Sequence, residues 1–397
     1  MDGNPMPDKK SKFLANLLES IPKPKLHFSG ISPPEIFVGR IGYPNINSGI
    51  LAPMNFESKH SEFNSAEDWS KSNLNISNIL RLRSQLIYGR TKFNIKKENK
   101  IKEITQELAM THKAVSTEFF LKKKPILQVK ASETFKPLIN SAPLKKVILE
   151  ENTKILKKVD YIVGDLDIKA NNALKELYNS KIKTDHLQKL FSAGLLGTKR
   201  NKKMVPTRWS ITAVDDTLSK QIMKKIRNYP EIDNPILLSG NYIGNYIEIL
   251  ILPGSWSFEG IEAWDSGSTY FENKLEHHTT FSRDYEGFYD RKTYANNVTG
   301  GYYAMRLPVC EFLEKIKKQG TVLVFRRITS EYYAPLGVGV VRETTRRAIN
   351  NPIQIFENTD EALFDMGKRI GFNIKTIKEK SWTLQNYGKQ KRLKNWF

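Results

Sequence analysis

The 397-residue chain has a single cysteine, Cys310. That excludes an intrachain disulfide and any zinc site built from several thiolates, and it fits a reducing compartment. It also lacks long hydrophobic runs. The longest, around Ile243–Leu252, is interrupted by Asn245 and Glu248 and falls short of the roughly 18 apolar residues that span a bilayer. No apolar stretch followed by a small-residue cleavage site stands in MDGNPMPDKKSKFLANLL, so a cytoplasmic location and no membrane partner are expected.

Negative charge is also scarce. Lys and Arg number 63 against 42 Asp and Glu, a net charge of +21. A charge so far from zero works against compaction unless it is spread out or meets a polyanion, and DNA is the natural one because each neutralised phosphate releases counterions. A solvated lysine-rich surface is the alternative. With 39% hydrophobic and 26% charged residues, the chain has material for a core, and its length suggests two or three domains.

Residues 1–20 read as a basic tail or short amphipathic helix, with Phe13, Leu14, Leu17 and Leu18 at helical spacing. The Gly/Pro-rich stretch 26–53 implies turns between short extended pieces. Helices are expected over 74–88, closed by Gly89, and over 98–111. Short strands follow from Val115, then several helices in the lysine-rich segment 144–190 and a basic turn at Lys199–Lys203. MVPTRWSITAV reads as a strand, with Asp215 or Asp216 capping a following helix whose inner face is Leu218, Ile222 and Ile226. YIEILILP and TVLVFRRI read as strands, Pro308–Lys318 as a helix closed by Gly320, and 360–370 as a last helix. The mixture without regular alternation predicts an α+β fold. The expected divisions are a tail at 1–20, a Gly/Pro-rich domain at 21–130, a main domain at 131–380 and a flexible tail at 381–397.

The sequence ends KQKRLKNWF. Gln390, Leu393, Trp396 and Phe397 fit Gln-x-x-aliphatic-x-x-aromatic-aromatic. A single helical turn would gather Leu393 and the two rings into an apolar plug, with Gln390 at its rim. This peptide resembles the clamp-binding box with which replication and repair proteins hold the sliding clamp PCNA. The alternative is a terminal segment packed on the protein's own core.

Four further segments carry a second resemblance: FSGISPPEIFVGRIGYPNINSGILAP (28–53), GLLGTKRNKKMVPTRWSITAVDD (194–216), GGYYAMRLPVCEFL (300–313) and YYAPLGVGVVRETTRRAI (332–349). Together they are similar to the archaeal Nre family of DNA repair proteins, in the expected order over nearly the whole chain. The resemblance implies a role in repair of DNA damage and a link to PCNA through a terminal box. It departs in one respect: many relatives begin with a cysteine-rich zinc motif, and no cysteine precedes Cys310 here.

Paired carboxylates near a strand end hold Mg2+ ions for phosphodiester cleavage, which makes Asp215 and Asp216 the candidate catalytic pair and Mg2+ the cofactor such a pair would use. Both are also ordinary helix caps. Arg208 and Trp209 could bind phosphate and stack on an unpaired base, and Arg40 with Tyr43 could do the same in the loop VGRIGYP. Lys199 and Arg200 add a basic turn, and Arg346 and Arg347, with Arg342, a basic helix face. Gly300-Gly301 resembles a nucleotide loop only weakly, lacking the phosphate-binding contexts. His277 or His278 could join Glu259 or Glu262 in a pocket. The first reading is a DNA repair protein that binds damaged or branched DNA while held by PCNA, with or without nuclease activity. The others are a non-catalytic adaptor between PCNA and other repair factors, and an enzyme that uses a nucleotide cofactor.

Overall fold

The computed structural model describes residues 25–389 except 34, 55–64, 98, 131–133, 267 and 269–278. The chain divides into two compact units: Met1–Leu218 with Ala334–Gly339, and Ser219–Tyr333 with Val340–Phe397. Among the described residues there are 12 helices and two mixed sheets, an α+β fold as the sequence indicates.

The first unit is built on a seven-stranded sheet. Its strands are β1 (His27–Ser32), β2 (Ile36–Val38), β3 (Asn45–Pro53), β4 (Leu86–Asn94), β5 (Val115–Leu121), β6 (Ile126–Lys130) and β7 (Leu138–Leu149). The order is β1-β5-β7-β4-β3-β2, with β6 also paired to β7 and only β4 and β7 running parallel. The Gly/Pro-rich stretch supplies β1 to β3, as expected. Between strands lie α1 (Ala66–Lys71), α2 (Ile76–Ser84) and α3 (Lys100–Met110), and α3 packs against β3 and β7. Asn75 and Asn99 cap α2 and α3 by accepting from Asn78 and Ile101 N–H groups, as short polar side chains do at helix starts. The helix expected over 74–88 stops at Ser84. Leu86 and Ile87 open β4, and Gly89 is no cap but a strand residue against Phe119, whose ring carbon lies 2.7 Å from where a Cβ would sit.

The lysine-rich segment forms α4 (Lys157–Gly164), α5 (Ala170–Asn179) and α6 (Thr184–Ser192), followed by a 3-10 turn at Lys199–Asn201. The strand expected at MVPTRWSITAV is instead the start of α7 (Thr207–Ile226). Its β-branched residues imitate a strand, but buried Val214, Leu218, Ile222 and Ile226 recur every four residues, a helical stripe. Asp215 and Asp216 therefore lie inside the helix, not at its cap.

The second unit holds strands β8 (Ile236–Tyr242), β9 (Asn245–Leu252), β10 (Ser257–Trp264), β11 (Thr280–Glu286), β12 (Thr321–Ile328) and β13 (Gln354–Ile355). They are ordered β11-β10-β12-β9-β8-β13, with β10 and β12 parallel. Alternate residues serve opposite faces. Leu250, Leu252, Ile261, Ala263, Leu323 and Phe325 join Leu363, Met366 and Ile370 of helix α10 (Thr359–Ile370) and Ile377 of α11 (Ile374–Lys380). On the other face α8 (Gly300–Ile316) comes so close to β10 that a Cβ on Gly260 would lie 2.9 Å from Met305 Cε. The expected helix at Pro308 begins eight residues earlier, contains the proline, and ends on Lys317 in the left-handed region (φ 55°), not on Gly320. The remaining helices are α9 (Val338–Asn350) and α12 (Trp382–Asn386).

The tail expected from 381 is held to this unit as far as Tyr387. Glu259 accepts from Ser381 Oγ (2.6 Å) and from the Trp382 and Thr383 N–H groups (2.8 and 2.9 Å), Trp382 stacks on Tyr285, and Tyr387 Oη donates to the Pro253 carbonyl (2.9 Å). Cys310 is fully buried, and burial pushes its thiol pKa up, so it is an inert core residue. No helix among the described residues is long and apolar enough to cross a membrane.

Candidate functional site: an aromatic–basic surface and a lysine-lined cleft

The connection from α6 to α7 does the positioning. Gly194, just past α6, takes φ +74°, and a Cβ there would lie 2.4 Å from the Lys203 carbonyl carbon; only glycine lets the chain return so closely. Ser192 Oγ then donates to the Val205 carbonyl (2.8 Å), and Thr207 Oγ1 accepts from Val38 N–H (2.9 Å). The first turn of α7 is thereby fixed beside the loop after β2. Trp209 and Tyr43, distant in sequence, meet with ring centroids 5.7 Å apart. Both rings are about half open, at 48% and 43%, and Ile41 in the same loop is 85% exposed. Scattered exposed apolar residues need no explanation, but adjacent aromatics with arginines in the same two segments do. Arg40 is exposed in that loop and Arg208 is partly so. The 3-10 turn exposes Lys199 and Arg200 on the same α6–α7 connection.

Of the other expected contacts, Arg346 on α9 is held by Glu311 (2.7 Å) and Glu343 (2.8 Å), and Arg347 lies over the Tyr242 ring at 4.0 Å. Both have intramolecular work in the second unit. Asp215 is fully buried and accepts from Gln188 Nε2 at 3.2 Å. Adjacent helix positions point about 100° apart, so Asp215 and Asp216 do not present a shared face. Among the described residues no group of three or more His, Cys, Asp or Glu is placed to hold a metal ion. Gly300-Gly301 is the buried start of α8, and a Cβ on Gly301 would lie 2.5 Å from Glu262 Oε1. The Glu262 carboxylate thus lies close against the Gly301 backbone. Glu262 pairs with Arg326 and Glu259 caps α12, while His277 and His278 lie outside the described residues. So do Gln390, Leu393, Trp396 and Phe397.

A cavity of about 710 Å3 lies in the first unit, within the usual range of ligand sites. Six chain segments line it, and their charged groups are Glu35, Asp68, His112, Lys113, Lys136, Lys181, Lys183, Asp185, His186 and Lys189. Burial would raise the Glu35 pKa, but Arg83 (2.5 Å) and Lys136 (3.1 Å) outweigh it and hold the carboxyl below its ordinary value. Lys136 also pairs with Asp185 (3.1 Å), and Lys183 with Asp68 (2.7 Å). Lys189 differs from its neighbours: burial, aided by the Lys136 charge, brings its ammonium pKa down to about 8. This cleft went unseen in the sequence, where its residues are scattered. The one available signal was Asp185, His186 and Lys189 within two turns of an amphipathic helix.

His186 gives a pH prediction. Its burial lowers the imidazole pKa to about 3, and Nε2 lies 3.1 Å from the Ala109 carbonyl oxygen. The folded protein holds it neutral, so its contribution is intact above about pH 6.5 and is lost as pH falls toward 3, by about 1.4 kcal/mol per pH unit. Glu248, raised by burial to about 7, acts in the opposite sense. The measurement is therefore the difference in first-unit stability between wild type and His186→Gln from pH 7 to 5. Wild type should lose about 2 kcal/mol more than the variant over that interval; parallel curves refute it.

Taken together, these features define a mixed α+β protein whose first unit carries both an exposed aromatic–basic surface and a deep charged cleft. Comparison with known proteins makes this specific. The family model for the N-terminal part of archaeal Nre matches residues 9–271, and that for the C-terminal part matches residues 286–396. The chain belongs to the archaeal Nre family. It is 36% identical to a protein named DNA repair protein NreA from Archaeoglobus fulgidus, over 85% of this chain and 84% of that one. It is 34% identical to DNA repair protein NreB of the same organism, over 92% and 90%, and 30% identical to DNA repair protein NreA from Haloferax volcanii, over 89% and 85%. No solved structure matches it.

Proposed function

We propose that this protein acts in DNA repair, binding damaged or branched DNA through its first unit while its C-terminal motif holds PCNA. The names of its relatives support the repair role. The observation that carries DNA contact is the half-exposed Tyr43–Trp209 pair with Arg40 and Arg208 in the same segments. Unpaired bases stack on such rings, and cations meet the flanking phosphates. The net charge of +21 supports the same reading. PCNA tethering rests on the match of Gln390, Leu393, Trp396 and Phe397 to the clamp-binding pattern. The reading assigns no strand cleavage to Asp215 and Asp216.

The test is fluorescence anisotropy with single-stranded and forked oligonucleotides over a salt series. Tyr43→Ala/Trp209→Ala should weaken binding about tenfold or more, since each stacked base contributes ~1–3 kcal/mol, with little change in salt slope. Lys199→Ala/Arg200→Ala should weaken all sequences alike and reduce the slope by about 2. Wild-type affinity for both variants would remove this surface from the proposal.

A further inference from the structure

The cleft holds one lysine unlike the rest. Lys189 is the lysine of this cleft that burial and the Lys136 charge bring nearest to losing its proton, with Asp185 four residues before it on the same helix. Partial burial beside a second ammonium is how proteins turn a lysine into a nucleophile toward carbonyl carbons. Glu35, Lys136, Lys183 and Asp185 line the same cleft, and Lys136 pairs with Glu35 and Asp185 at 3.1 Å each. Asp185 lies one helical turn before Lys189, on the same face of α6, and lines the same cleft. Lys113 and Lys181 stand exposed at the same cavity. The cleft thus combines a reactive amine, a carboxylate and separate cations, which is the complement of an aldehyde flanked by phosphates.

We propose that Lys189 is the nucleophile of a lyase centre acting on the aldehyde of an abasic deoxyribose in DNA, with Lys113 and Lys181 taking the flanking phosphates. This rests on the DNA reading above. The lone pair of Lys189 Nζ attacks C1′, and the carbinolamine loses water to give a protonated imine. Asp185 removes a C2′ proton; those electrons form the C2′–C3′ double bond, and the C3′–O bond breaks with its electrons leaving on the 3′ phosphate. Water then hydrolyses the imine, returning the amine and releasing the unsaturated aldehyde. No oxidant or reductant is needed.

The experiment incubates the full-length protein with an oligonucleotide carrying one abasic site and reduces the imine with cyanoborohydride. Three measurements run beside it: binding of an undamaged oligonucleotide, trapping of free deoxyribose 5-phosphate, and nicking of the abasic strand without reductant. The expected result is a covalent protein–DNA adduct that peptide mass mapping places on Lys189, with nicking 3′ to the abasic site. Lys189→Arg should lose at least about tenfold of the adduct, because a guanidinium stays charged, and Lys189→Met should do the same. The mapping uses wild-type protein, so a variant that fails to fold does not decide the matter. DNA binding with no adduct overturns the lyase centre alone. An adduct mapped to another residue overturns the assignment of Lys189. An adduct with deoxyribose 5-phosphate but none with DNA, and no DNA binding, keeps the reactive lysine and overturns the DNA reading.

Discussion

Replacing Trp396 and Phe397 by alanine is expected to lower the affinity for PCNA about a hundredfold or more, while affinity for DNA changes by less than about threefold. Buried aromatic anchors each contribute ~2 kcal/mol or more at such contacts, and two together account for the hundredfold. Selectivity follows because the DNA contacts proposed here lie in the first unit, on Arg40, Tyr43, Arg208 and Trp209, and sites without shared partners behave additively. Gln390→Ala, which removes only a rim hydrogen bond, should cost about tenfold or less. Calorimetry with purified PCNA and anisotropy with DNA read the two affinities separately. Unchanged PCNA binding would mean that the pattern at 390–397 is coincidental, and a parallel fall in both affinities would mean that the variant had lost its fold.

The second large effect concerns a buried ion pair of the second unit. Arg326, on β12, is 2% exposed, pairs with Glu262 at 2.5 Å, donates from Nε to Asn245 Oδ1 at 2.9 Å, and lies between the rings of Trp264 and Tyr332. Arg326→Met would leave Glu262, itself 4% exposed, as an uncompensated charge. Breaking a buried pair from one side costs about 3–5 kcal/mol, most of it the stranded partner, so Arg326→Met/Glu262→Gln should recover at least about half. With two units in the chain, a single melting temperature does not isolate the effect. Hydrogen exchange of the β9, β10 and β12 amides does, and a loss below about 1 kcal/mol there would show that the pair is dispensable.

The long, strongly patterned elements were legible in the sequence: β9, β12, α3 and α10 stand where periodicity places them. The misreadings have one cause. Over short spans, apolar residues satisfy helical and extended patterns alike. Leu86 and Ile87 continue the spacing of α2, yet the chain leaves the helix at Gln85 and turns into β4. Thr207, Ile211, Thr212 and Val214 look like strand residues until the stripe through Leu218, Ile222 and Ile226 is carried back to Val214. Pro308 looks like a helix start because interior prolines are costly, but α8 runs through it. The charged and aromatic residues of the candidate surface were legible only as separate residues, Arg40, Tyr43, Lys199, Arg200, Arg208 and Trp209; the meeting of Tyr43 and Trp209 depends on Gly194 and Thr207. The cleft was not legible, because Glu35, Asp68, Lys113, Lys136 and Lys189 reach it from five separate segments and only tertiary folding gives Lys189 its burial.

Docking of the chain through Tyr387 has a mechanical consequence. Only two residues, Gly388 and Lys389, separate that anchored tyrosine from Gln390, and an extended chain spans at most ~3.6 Å per residue, so three steps allow the start of the motif at most about 11 Å from its last fixed point. A long tether trails its cargo through a wide volume, and its benefit falls as length grows. With so short a joint, a PCNA ring gripping the motif would be mounted on the second unit like a wheel on a stub axle, its angle limited by the first surfaces to touch.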